Sequence, residues 1–213
     1  MRLFLFLTFL VPLLLPVGGL AQPVPPGSDE PRAEDLGTLP EAPAPDEPKT
    51  RSVEEPPVET LYRQLAAANS EGEARRIARR IQIVWLQSGS DTVDLLMERA
   101  AIALKAENYP LALDLLDNVV TMKPSYAEGW NRRATVYYMR QDFGRSLADI
   151  ERVLALEPRH WGALSGLAII QRQLDQEQRA LATFRKVLEV YPLLDSARKA
   201  VEQLETQLAG KPT

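Results

Sequence analysis

Cysteine is absent from this chain of 213 residues, histidine occurs once (His160), and glycine only 11 times. With no thiol there is no disulfide framework, no cysteine nucleophile and no sulfur-ligated metal. A single histidine has no second histidine or cysteine with which to complete a metal centre or a catalytic relay. No glycine-rich phosphate loop, paired dinucleotide glycines or H-E-x-x-H sequence occurs. A strong excess of either charge is also missing: 29 acidic residues stand against 25 basic ones, a formal net charge of -4. We therefore expect no enzyme activity, no cofactor, no bound metal and no nucleic-acid partner. A lack of cysteine is also compatible with an oxidising compartment, where a stray thiol is a hazard.

The residues present divide the chain into unlike parts. Met1 and Arg2 precede an apolar run from Leu3 to Val17, and Gly19 and Ala21 put small residues where a secretory signal is cut. Pro12 and Pro16 interrupt the run, and a spanning helix needs about 20 apolar residues. Residues 1–21 thus read as a signal peptide cleaved after Ala21, leaving no integral membrane span and a periplasmic or secreted protein. From Gln22 to Pro57, 36 residues hold 10 of the 17 prolines, with nine acidic side chains against three basic ones. Such a stretch cannot bury a core and reads as a disordered acidic linker. The remaining 156 residues carry 21 basic and 20 acidic groups, so the folded part is close to neutral.

Within that part Pro124, Pro158 and Pro192 lie 34 residues apart, each closing an apolar-periodic stretch. Placing them at position 32 of a repeat gives units at 93–126, 127–160 and 161–194. Four further registers then coincide. Position 8 holds Ala100, Ala134 and Ala168; position 20 holds Ala112, Ser146 and Ala180; position 24 holds Leu116, Ile150 and Phe184; position 27 holds Val119, Val153 and Val187. Each unit contains two windows of about 14 residues with apolar residues at helical spacing, broken at Glu107-Asn108-Tyr109, Gln141-Asp142-Phe143 and Asp175-Gln176-Glu177. In this period and these small residues the sequence resembles the tetratricopeptide repeat family, of the kind found in small exported proteins of Gram-negative bacteria. The resemblance implies an all-α solenoid of stacked helical hairpins.

Both ends of the array offer further helices. Stepping back another 34 residues puts Ala66 and Ala78 at positions 8 and 20, so residues 58–92 read as a degenerate fourth hairpin stacked upstream, with Gly72 shortening its first helix. Ser70-Glu71-Gly72-Glu73 fits a capping box opening a helix to about Gln87, its core face Ala74, Ile77, Ile81, Val84 and Trp85. Residues 195–208, with Ala197, Val201, Leu204 and Leu208 on one face, read as a capping helix. Nine helices result.

In the family, positions 2, 5, 6, 9, 12 and 13 of each first helix face a concave groove. Here those positions are Asp94, Met97, Glu98, Ala101, Leu104 and Lys105; Glu128, Asn131, Arg132, Thr135, Tyr138 and Met139; and Gly162, Ser165, Gly166, Ile169, Arg172 and Gln173. A carboxylate clamp for a chaperone's acidic tail would need cations or an amide where Met97, Ala101, Gly162 and Gly166 stand. The lining suits instead an extended or helical peptide, with Asn131 bonding its backbone and Met97, Tyr138 and Met139 giving apolar contact. Gly162 and Gly166, four apart on one helix face, point to a close approach by a ligand or by a neighbouring helix. Arg75, Arg76, Arg79 and Arg80 lie opposite Ile77 and Ile81 and read as a solvated face, Glu71 and Glu73 supplying partners. The implied function is an adaptor that binds a protein or peptide in its groove. The alternative is a structural protein whose outer faces join copies into a homo-oligomer.

Overall fold

A computed structural model describes residues 57–210; the expected signal peptide and all but the last residue of the acidic linker lie outside the described residues. The described residues form nine α-helices and no strand. They are α1 (Val58–Ala66), α2 (Glu71–Leu86), α3 (Asp91–Lys105), α4 (Tyr109–Met122), α5 (Ala127–Met139), α6 (Phe143–Leu156), α7 (Trp161–Gln173), α8 (Glu177–Val190) and α9 (Asp195–Ala209). None of these helices is long and apolar enough to cross a membrane.

Helices α3 to α8 are three antiparallel pairs stacked in sequence order. The small residues at positions 8 and 20 are all buried, since the two helices of a pair cross there without room for a larger side chain. Ser146, the one polar member, donates from Oγ to the Ala134 carbonyl at 2.8 Å, so its own buried hydroxyl is paired. Val119 and Val153 are fully buried against the next unit, and Val187 against α9. The three proline corners are equivalent. In each, the N–H of the residue at position 34 returns to the carbonyl at position 31, from Tyr126 to Lys123, His160 to Glu157 and Leu194 to Tyr191, at 3.0, 3.1 and 3.1 Å. Within each pair the turn residue at position 15 is left-handed, with φ of 56° at Glu107, 59° at Gln141 and 56° at Asp175. The next N–H then caps the carbonyl five residues back, a Schellman closure made here without glycine.

One guanidinium joins units one and two. Arg133 on α5 grips Asp149 of α6 with two bonds of 2.8 and 2.7 Å and reaches Asp117 of α4 at 2.8 Å. Its plane lies over the Trp130 ring, 4.8 Å from the centroid. At the far end α9 covers α8 with Ala197, Ala200 and Leu204 and leaves Lys199, Glu202 and Glu205 exposed.

The N-terminal pair departs from the expectation. Helices α1 and α2 exist, but they are not a fourth unit stacked on α3. Their buried residues, Leu61, Tyr62, Leu65, Ala74, Ile77, Ala78 and Ile81, join one cluster with α7, α8 and α9, whereas the cluster around α3 and α4 contains no residue of α1 or α2. The pair lies along the corners between units. At the first corner the Tyr126 hydroxyl donates to the Leu86 carbonyl at 2.9 Å, and Lys123 Nζ donates to the Ser88 carbonyl. At the second, Arg159 holds both carboxylate oxygens of Glu59, at 2.8 and 2.6 Å, and covers the Tyr62 ring. At the third, Arg198 bonds Glu71 at 2.6 Å. A 16-residue helix is about 24 Å long, enough to cross two helix spacings of about 10 Å each.

The loop explains the departure. Ser90 stands where a corner proline would, and the buried Ser88 hydroxyl bonds both its N–H and its carbonyl, while Gly89 adopts φ +71°. Ala66, assigned to a crossing position, is exposed. Gly72 does not shorten α1, because it lies in the first turn of α2. Ser70 caps α2 by accepting the Glu73 N–H at 3.2 Å, but Glu73 reaches back to the N–H of Asn69 rather than of Ser70.

Candidate functional site

Helices α3, α5 and α7 present their groove positions on one inner face, and the corner pair forms one edge of it. Three recesses follow. The recess between α5 and α7 has a volume of about 260 Å³ and gathers Asn131, Thr135, Tyr138, Met139, Gly162, Ser165, Gly166 and Ile169. Met139 and Ile169 are exposed at its mouth, and Tyr138 is braced by Phe143, its ring centroid 5.9 Å away. The recess between α3 and α5, about 250 Å³, is lined by Asp94, Met97, Glu98, Ala101 and Arg132, and Leu86 of α2 closes its edge. A third, about 310 Å³, lies between Gln82, Trp85 and Leu86 of α2 and the residues Glu128, Asn131, Arg132, His160 and Gly162. Lys105 and Arg172 are exposed at the ends of α3 and α7 and line none of these recesses.

Two groove residues serve the fold more than the surface. Met97, expected to offer apolar contact, is 6% exposed and packs in the core with Val93, Ala100 and Leu116. Asn131, expected to bond a ligand backbone, donates from Nδ2 to Glu128 at 3.0 Å. Glu128 is the hub of this edge, since its carboxylate also accepts from Arg132 at 3.3 Å and meets His160 Nε2 at 3.2 Å.

His160 is buried and fixed on every side. Its Nδ1 accepts the Ala163 N–H at 3.1 Å and so caps α7; the proton therefore resides on Nε2, which donates to Glu128. The Trp85 ring lies parallel on it, centroids 4.0 Å apart, and also meets Trp161 at 4.2 Å. Gly162 owes its small size to this ring, because a Cβ there would stand 3.1 Å from His160 Cε1. Gly166 differs: a Cβ would make only an ordinary 3.5 Å contact with Ile150, so the space beside it belongs to the recess. Gln82 and Leu86 escaped sequence reasoning, and Trp85, read there as part of a core face, lines the inner edge of the groove instead.

Three ionisations report on the corner pair. Burial, aided by the nearby Glu128 charge, pushes the Tyr126 phenol up to about 12, and burial likewise raises Tyr62. The Arg159 guanidinium holds the Glu59 carboxyl below the usual carboxylate range.

A TPR repeat-containing protein of Rhizobium etli is 40% identical to this chain over 156 residues, which are 73% of the chain and 76% of that protein. The chain belongs to the tetratricopeptide repeat family. This tetratricopeptide repeat protein is also 26% identical over 117 residues to Hsp70-Hsp90 organizing protein 1 of Glycine max, covering 53% of the chain and 20% of that protein. Among solved structures it resembles in fold the first TPR domain of Spaghetti bound to the HSP90 peptide SRMEEVD, with TM-score 0.54 and 21% identity over 57% of this chain and 96% of that one. It also resembles MamA, with TM-score 0.52 and 14% identity over 67% of this chain and 86% of that one. No family model matches the chain.

Proposed function

We propose that this tetratricopeptide repeat protein is an exported adaptor that holds an extended segment of a partner protein against α5 and α7, with one large apolar side chain seated in the recess between them. The observation that carries the reading is the open apolar recess itself, bordered by Tyr138, Met139 and Ile169 and left free at Gly166. At about 260 Å³ it falls below the ~300–1,000 Å³ of sites that enclose a drug-sized molecule. That volume suits a single side chain of a longer ligand, and methionine adapts to several shapes. An acidic tail like the HSP90 peptide held by Spaghetti is a poor match, because Met97, Ala101, Gly162 and Gly166 supply no cation. The apolar run before Ala21 supports export.

A photocrosslinking side chain at Thr135, introduced in intact cells, tests the groove. We expect a discrete set of crosslinked partners that disappears when Gly166→Leu fills the recess, while the melting temperature is held or raised. An unchanged crosslink pattern in Gly166→Leu would refute the site. Mass spectrometry of the fractionated protein tests export: the mature chain begins at Gln22 outside the cytoplasm, and a cytoplasmic chain that keeps Met1 contradicts it.

A further inference from the structure

The placement of α1 and α2 along the corners leaves the upstream side of the first unit without a neighbour among the described residues. Positions 3 and 10 of a first helix are the ones that meet the preceding unit. In the second unit they are Gly129, whose Cβ would strike Val119, and Val136, fully buried in the cluster around α3 and α4. In the third they are Ala163 and Ile170, each 1% exposed and packed with Ile150 and Val153. In the first unit the same positions hold Leu95 and Ile102, and these are 48% and 62% exposed. The register that is buried twice downstream is thus apolar and bare at α3.

We propose that a second copy of this chain covers that face, α3 against α3 in antiparallel register about a two-fold axis at Glu98 and Arg99. The charges on the face argue for this occupant. Leu95, Ile102, Asp91 and Arg99 share one side of the helix, with Glu98 and Lys105 at its border with the groove, so the face is acidic at its start and basic at its end. Turned antiparallel, Leu95 meets Ile102 of the second copy, Glu98 meets Arg99, and Asp91 approaches Lys105, each contact occurring twice as an isologous interface requires. All four charged residues are exposed, and none has an ion-pair partner among the described residues. One helix face buries less than a standard interface, so the dimer is weak and depends on concentration.

Sedimentation velocity of the full mature chain, across a wide concentration range, tests the proposal. We expect a monomer–dimer equilibrium that Ile102→Arg weakens by at least about tenfold without lowering the melting temperature. Glu98→Arg should weaken it by setting like charges opposite each other, and the double variant Glu98→Arg with Arg99→Glu should restore it. A photocrosslinker at Ile102 should trap α3 of a second chain. A monomer at every concentration, a dimer untouched by Ile102→Arg, or a crosslink from Ile102 to residues 1–56 of the same chain would each overturn the proposal. Gly166→Leu, which fills the groove recess, should leave the equilibrium unchanged, so groove binding and self-association are read separately.

Discussion

Replacing each of the two glycines of α7 by alanine should give opposite outcomes, although they lie four residues apart on the same helix. Glycine inside a helix is about 1 kcal/mol less favourable than alanine. At Gly166 the new Cβ meets only Ile150 at 3.5 Å, so the gain is kept: about 1 kcal/mol, or roughly 2–4 °C in melting temperature for a body of this size. At Gly162 the Cβ would stand 3.1 Å from His160 Cε1 and 3.4 Å from Nδ1. That ring cannot retreat, because the Ala163 N–H, the Glu128 carboxylate and the parallel Trp85 face all hold it. Displacing it forfeits a helix cap worth about 1 kcal/mol and an aromatic contact worth about 0.5–1.5 kcal/mol. The propensity gain is smaller in the first turn, so Gly162→Ala should be destabilising by about 1 kcal/mol, some 2 kcal/mol below its neighbour. Thermal and urea unfolding followed by circular dichroism measure both. In a His160→Ser background, where a hydroxyl can cap without a ring, the penalty at Gly162 should vanish. If Gly162→Ala stabilises as Gly166→Ala does, or the penalty survives in the serine background, the reasoning about a pinned ring is wrong.

Breaking the buried pair of Arg133 and Asp149 should cost far more than breaking the exposed one. Asp149→Ala leaves a half-buried guanidinium with only the exposed Asp117 for a counter-charge and should be destabilising by about 2 to 3 kcal/mol, whereas Asp117→Ala should cost under about 1 kcal/mol; equal losses in urea unfolding would refute the distinction. The protein should also lose stability in base. Tyr126 ionises near 12 when folded and near 10 when unfolded, so the folded state keeps the proton longer. Its contribution is complete below about pH 10 and falls away as pH rises to about 12, on the order of 2 to 3 kcal/mol in all. Melting curves from pH 8 to 12 should show this fall, and Tyr126→Phe should blunt it; a flat profile over that range would count against it.

The solenoid could be read from the sequence because its constraints recur. Small residues at crossings, valine at position 27 and proline at corners each appear three times, and each answers a contact inside or beside its own unit. The corner pair could not be read so. Ala74, Ile77, Ala78 and Ile81 announce a buried face but not what covers it, and Ala66, exposed, matched the repeat register only by its small size. What turns the chain aside is a loop feature, Ser88 folded onto Ser90 with Gly89 left-handed, and no period encodes that. The groove was legible in outline for the same reason as the solenoid. Its inner edge was not, because Trp85 and His160 are 75 residues apart and meet only through the corner packing.

Linear repeat arrays fray from their ends, since each unit leans only on its neighbours. Here the carboxylate of residue 59 is tied to residue 159, and that of residue 71 to residue 198. The opening helices and the closing helices therefore guard each other, and neither end of the described array can peel away alone. Such a clasp turns a string of local transitions into a single one, and cutting it should let the units melt one after another.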